Sequence, residues 1–147
     1  MLSILNALFS KDQAGENIMQ IYLEEKIGNP ALFTGRKKEL ESLLAWTEKI
    51  KLKISKSKAI ISRRKTGKSA VMERLFNILF HQNDQIVPFY FEIRETGQWI
   101  GDFAREFFFT FVRQYIAFKS RKPEYLTHGA NYELLIKVAA KEGLDYL

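Results

Sequence analysis

A short apolar run, Ala59-Ile60-Ile61, ends in a basic turn, Ser62-Arg63-Arg64-Lys65-Thr66, and Gly67-Lys68-Ser69 then opens a helical pattern at Ala70 and Val71. No other stretch of the chain constrains its fold as much. A buried strand would deliver the chain to a sheet edge, with the amides of the turn facing inward. The helix that follows would aim its positive end at the same point, and such a turn holds an anion. In the motif G-x-x-x-x-G-K-[ST] the lysine reaches the β- and γ-phosphates of a nucleotide, and the Ser or Thr hydroxyl sits on Mg2+. Lys68 and Ser69 fill those positions, and Gly67 permits close backbone approach. Where the motif has its first glycine this chain has Ser62, which narrows the backbone options at the start of the turn.

The 147 residues suit one domain, and 46% hydrophobic content is ordinary for a globular chain. A net charge of +6 fits polyanionic partners such as nucleotide or nucleic acid. The charge is concentrated between Arg36 and Lys68, where only Glu39, Glu41 and Glu48 oppose it, while the segment from Pro123 to Leu147 is slightly acidic. With no cysteine there is no disulfide framework, no thiolate chemistry and no cysteine-ligated zinc, which fits a reducing compartment. Residues 1–9 lack the positive start and unbroken apolar core of a signal peptide, and no run approaches the ~18 apolar residues that span a bilayer. The expectation is a soluble, cytoplasmic chain with no membrane partner.

In chain order, Leu2, Leu5, Leu8 and Phe9 have helical spacing, and the pattern repeats through Ile18, Ile21 and Tyr22 until Gly28 and Pro30 stop it. Residues 1–30 therefore read as a helical leader to a domain over 31–147. Thr34 or Gly35 can cap a helix that buries Leu40, Leu43, Leu44 and Trp46. A basic connection, Lys49 to Lys58, leads to a strand at 58–62, and the helix after the turn buries Val71, Leu75, Ile78 and Leu79. Gln85 to Arg94 reads as a second strand, with Pro88 near its start. A long helix follows over about 98–119, carrying Trp99, Phe103, Phe107, Phe111 and Tyr115 four residues apart as a core-facing stripe. Pro123 marks its end, and a last helix over 131–141 stops at Gly143. Strand, helix and strand joined by a right-handed crossover predict a parallel pair, the start of an α/β three-layer fold.

The pieces Leu32-Phe33-Thr34-Gly35-Arg36-Lys37-Lys38-Glu39-Leu40 and Ile60 to Ser69 together resemble the prokaryotic AAA+-like ATPases, including the archaeal-type ATPases and the signal-transduction ATPases with numerous domains. That group opens with a Phe-x-Gly-Arg-x-x-Glu-Leu box, followed by a phosphate loop that often has paired arginines before its Gly-Lys-Ser/Thr. The likeness spans about residues 31–115. It implies the N-terminal part of a three-layer α/β/α P-loop NTPase fold with ATP and Mg2+ as cofactors. Lys68 would hold the β- and γ-phosphates as the catalytic lysine, and Ser69 would ligate Mg2+. The amides around Ser62, Arg63, Arg64, Lys65, Thr66, Gly67, Lys68, Ser69 and Ala70 would cradle phosphate. Phe33, Gly35 and Arg36 would lie near the adenine, although Phe33 equally suits a hydrophobic staple and Arg36 a solvated charge. Glu92 and Glu95 sit where ligands bind in open α/β sheets, but surface ion pairing suits them better than catalysis.

Hydrolysis in this group needs a second acidic motif, an apolar strand ending in Asp-Asp or Asp-Glu, and no such run exists here. The expectation is the N-terminal part of a longer ATPase that drives conformational signalling, binding nucleotide but hydrolysing it poorly alone. Its partners would be the remaining half of the ATPase or further copies of itself. Two alternatives compete: a nucleic-acid-binding module using the basic segment Lys49 to Lys65, and a non-functional remnant. His81 and His128 stand apart from each other and from any carboxylate pair, and neither is expected to hold metal or catalyse.

Overall fold

The structure, a computed structural model, describes residues 22–24, 35–93, 99–126 and 132–144. Its α-helices are α1 (Lys37–Lys51), α2 (Lys68–Gln82), α3 (Ile100–Ser120) and α4 (Tyr132–Lys141), with a 3-10 turn at Pro123–Leu126 between the last two. The stretches expected to be helical over 1–9, and most of that over 17–26, lie outside the described residues, as do Phe33, Glu95 and His128. Residues 22–24 are not helical.

Helix α2 is the central element because both its faces are apolar. Val71, Leu75, Ile78 and Leu79 pack against Leu40 and Leu43 of α1, with Leu44, Trp46, Met72 and Ile86 at the margin. Phe76 and Phe80 turn the other way, onto Ala117 and Phe118 of α3. A third cluster joins Val112 and Ile116 of α3 to Leu135, Ala139 and Leu144 around α4. Full burial of one such side chain is worth about 1.5–3 kcal/mol, so these seams outweigh helix propensity in holding the helices together. Asn77, fully buried among them, accepts from the backbone N–H groups of Tyr22 and Leu23 and donates to Leu23 O, which fastens residues 22–24 to α2.

The helix ends follow local chemistry. Helix α1 begins at an Arg36 cap position, not at Thr34 or Gly35, and has no side-chain cap. Gly143 adopts a left-handed φ of 69°, letting its own N–H reach Ala140 O and that of Leu144 reach Ala139 O, a Schellman closure of α4. Asn83 ends α2 in the left-handed region and donates its side-chain amide to Phe118 O, tying the C-terminal ends of α2 and α3 together.

Two expectations fail here. Among the described residues there is no strand, so the predicted three-layer α/β/α architecture is replaced by helix-on-helix packing. A strand needs a neighbour about 4.7–4.9 Å away to pair its amides and carbonyls. Residues 58–62 have none among the described residues, and Ile61 is 92% exposed. At residues 85–93 a side chain takes the neighbour's place: Gln114 of α3 accepts from Tyr90 N at 2.9 Å and donates to Tyr90 O at 2.8 Å. The aromatic stripe of α3 is also more open than its spacing predicts, because among the described residues one segment, 85–93, lies against it. Phe89 and Phe91 stack edge-on against Phe103, Phe107 and Phe111, yet Phe107 and Phe111 stay exposed and Trp99 is 75% exposed. The buried side of α3 is instead Val112, Gln114, Ile116, Ala117 and Phe118.

Candidate phosphate-binding loop

The turn between residues 62 and 67 is built from its own short side chains. Thr66 Oγ1 donates to Arg63 O at 2.8 Å and meets the Ser62 hydroxyl, closing the turn on itself. Lys65 (φ 61°) and Gly67 (φ 79°) both take left-handed conformations, and the second reverses the chain into α2. A β-carbon at Gly67 would meet no atom within 4 Å, so open space lies above the backbone there, while the φ alone disfavours any other residue. Lys68 curls back across the turn, its Nζ donating to Ser62 O and Arg63 O at 2.9 Å each.

Arg36, from the start of α1, reaches the same turn and donates from Nη2 to Thr66 O at 2.6 Å. Its Nη1 holds Glu39, and that hydrogen bond, with the charge of the guanidinium, sets the Glu39 carboxyl below the usual range. Sequence reasoning placed Arg36 near the base of a nucleotide; here it touches the loop directly. Between α1 and the turn lies a cavity of ≈ 390 Å³, lined by Arg36, Ser42, Lys58, Ser62, Gly67 and Lys68 among others.

The expected residues therefore divide. Ser62, Arg63, Thr66, Gly67 and Lys68 form one bonded turn with Arg36. Arg64 and Lys65 are exposed on its outer side, Ala70 is buried in the first turn of α2, and Gly35 is exposed just before Arg36 with a φ of 80°. Four N–H groups at a helix start have no partner within the helix, and the dipole favours an anion beside them. Lys68 at the start of α2 and Arg36 both line the cavity, so an ammonium and a guanidinium meet there, a pairing that suits phosphate. A hard cation such as Mg2+ takes oxygen ligands and often uses phosphate oxygens for part of its shell. Ser69 supplies one such oxygen, and no group of three or more metal-ligating side chains exists among the described residues, so the residues fit Mg2+ only together with bound phosphate.

Two residues beside the turn escaped sequence reasoning. Tyr90 places its hydroxyl at Glu73 Oε1, 3.4 Å away. Burial, then the charges of Glu73 and Glu92, push the Tyr90 phenol up to about 12. The only trace in the sequence is the four-residue step from Ser69 to Glu73, which puts both on one helix face. Glu92 is exposed, and His81 meets the Tyr22 hydroxyl at its Nδ1. Among the described residues no helix is long and apolar enough to cross a membrane. Comparison with models of protein families, with curated proteins and with solved structures finds no match.

Proposed function

We propose that this chain binds a nucleoside triphosphate, as its Mg2+ complex, at the 62–69 turn and the first turn of α2. The observation that carries this reading is the Lys68 ammonium held on the carbonyls of Ser62 and Arg63 beside open space at Gly67. An ammonium so placed can exchange two neutral carbonyls for charged phosphate oxygens, roughly doubling the strength of each hydrogen bond. The net charge of +6 favours the encounter. On this reading the chain acts in the cytoplasm as the nucleotide-holding part of an ATPase of the kind its two boxes resemble. The acid needed for hydrolysis would come from the rest of that ATPase or from another copy.

Calorimetric titration with Mg·ATP, beside Lys68→Ala, tests it. Binding by the wild type and loss in the variant, with helix content unchanged, is the expected result; equal affinity in the two contradicts it. A second reading draws on the exposed lysines Lys49, Lys53, Lys56 and Lys58 and on Arg63, Arg64 and Lys65, a basic surface suited to nucleic-acid phosphates. DNA affinity that falls steeply with salt and ignores Lys68→Ala would favour it.

A further inference from the structure

Helix α3 is apolar on two sides, and among the described residues other helices cover one of them. That side, through Val112, Ile116, Ala117 and Phe118, closes on α2 and α4. The other runs through Ile100, Ala104, Phe107, Phe108, Phe111 and Tyr115, whose helical spacing keeps them on one face. Along one border of this face, Phe89 and Phe91 meet the rings of Phe103, Phe107 and Phe111 with centroids 5.1–5.6 Å apart. The rest stays in water: Ile100 is 79% exposed, Phe108 47%, Phe107 42% and Phe111 37%, and Ala104 is exposed as well. An aromatic side chain offers about 150–250 Å², so at these exposures the face amounts to roughly 500 Å², the upper end of what a monomer leaves open in one patch. Two such faces laid together would bury about 1,000 Å², the size at which a specific interface begins.

The face is complementary to itself. Turned about a twofold axis between Phe107 and Phe108, an antiparallel copy sets its Phe111 over Ala104 and its Tyr115 over Ile100. The rings of Phe107 and Phe108 then meet across the axis, so the largest side chains fall opposite smaller ones at both ends. An anionic lipid surface would ask for a basic border instead, and the charges of α3 are mixed: Asp102 and Glu106 alternate with Arg105, Arg113 and Lys119. We propose that this chain forms a homodimer through the exposed aromatic face of α3, the two helices antiparallel and crossing near Phe107 and Phe108. The dimer does not depend on the loop binding nucleotide.

Sedimentation equilibrium of the wild type, from low micromolar to sub-millimolar concentration, should show a monomer–dimer equilibrium with a micromolar dissociation constant. Phe108→Glu puts a charge at the centre of the face, on a residue already half in water. It should weaken the dimer at least about tenfold with helix content unchanged. The chain has no cysteine, so introduced thiols read the geometry directly. Under mild oxidation Phe108→Cys, beside the axis, should form a disulfide-linked dimer, and Glu106→Cys, exposed on the opposite side of α3, should not. Ala104→Cys mixed with Phe111→Cys should cross-link faster than either variant alone. A wild type that stays monomeric throughout overturns the proposal, and sedimentation of that monomer with anionic phospholipid vesicles would assign the face to a lipid surface. A dimer indifferent to Phe108→Glu overturns it too, as do cross-links equally frequent through Glu106→Cys and Phe108→Cys. If Phe108→Glu lowers helix content, the cysteine comparison decides alone.

Discussion

Two runs that both fall where the sequence predicts a strand, residues 58–62 and 86–91, meet opposite fates. The first leads into the loop with Ile61 almost wholly in water, tethered by Lys58 Nζ on Ser42 Oγ at 2.7 Å and Ser42 O at 3.2 Å. The second lies along α3, with Pro88 buried, Val87 and Tyr90 packed toward Phe76, Phe80 and Phe118, and the Tyr90 amide and carbonyl both bonded to Gln114. A run of apolar residues becomes part of a core only when a neighbour covers its side chains and also satisfies its backbone. Helix α3 does both for the second run. For the first, α1 offers a cavity wall and a tether.

The contrast breaks most sharply at Gln114. Replacing it with Leu strands one buried donor and one acceptor of Tyr90, and should lower unfolding free energy by about 2–4 kcal/mol in a urea titration. Ser42→Ala, the matching cut at the first run, should cost under about 0.5 kcal/mol. Equal losses would mean that the two runs are held alike. Asn77→Ala ranks next. It removes the acceptor for Tyr22 N and Leu23 N and the donor to Leu23 O, and should cost about 1–3 kcal/mol.

A smaller effect depends on pH. The Tyr90 phenol is raised to about 12 in the folded chain, above its ordinary 10.0, so folding favours the protonated form. Its contribution is complete below pH 10.0 and is lost as pH rises toward about 12. Lys51 and Lys122, also raised, titrate in the same alkaline range, so the comparison is between the wild type and Tyr90→Phe. Thermal melts should show the wild type falling faster than the variant over that interval, and parallel curves would count against the buried phenol. Least of all, Lys51 bonds Asp84 at 2.6 Å and holds its carboxyl low, so that contribution is lost as pH falls below the ordinary Asp value of 3.8. The pair is exposed, and 1 M salt should remove most of its effect on stability.

The helices were legible because each carries its own stripe: Leu40 and Leu43 on α1, and Val71, Leu75, Ile78 and Leu79 on α2, are buried where their spacing puts them. The turn into α2 was legible for the same local reason, since the glycine at residue 67 takes a left-handed φ and the helix starts at Lys68 beside it. Pairing is not local. Nothing in Ile60-Ile61 or Phe89-Tyr90-Phe91 states whether a strand will lie beside it, and Gln114 gives no sign that it will stand in for one. The openness of the α3 stripe follows from the same lack of a paired strand among the described residues. Tyr90 beside Glu73 was hidden too, because only the return of residues 86–91 along α3 brings the two together.

The most direct measurement is amide chemical-shift mapping of the labelled chain during titration with Mg·ATP. Nucleotide held by the loop predicts the largest shifts at Arg64 to Ala70, with smaller ones at Arg36 and Tyr90. Shifts gathered instead along Lys49 to Lys58, leaving Gly67 and Ser69 unmoved, would contradict the account.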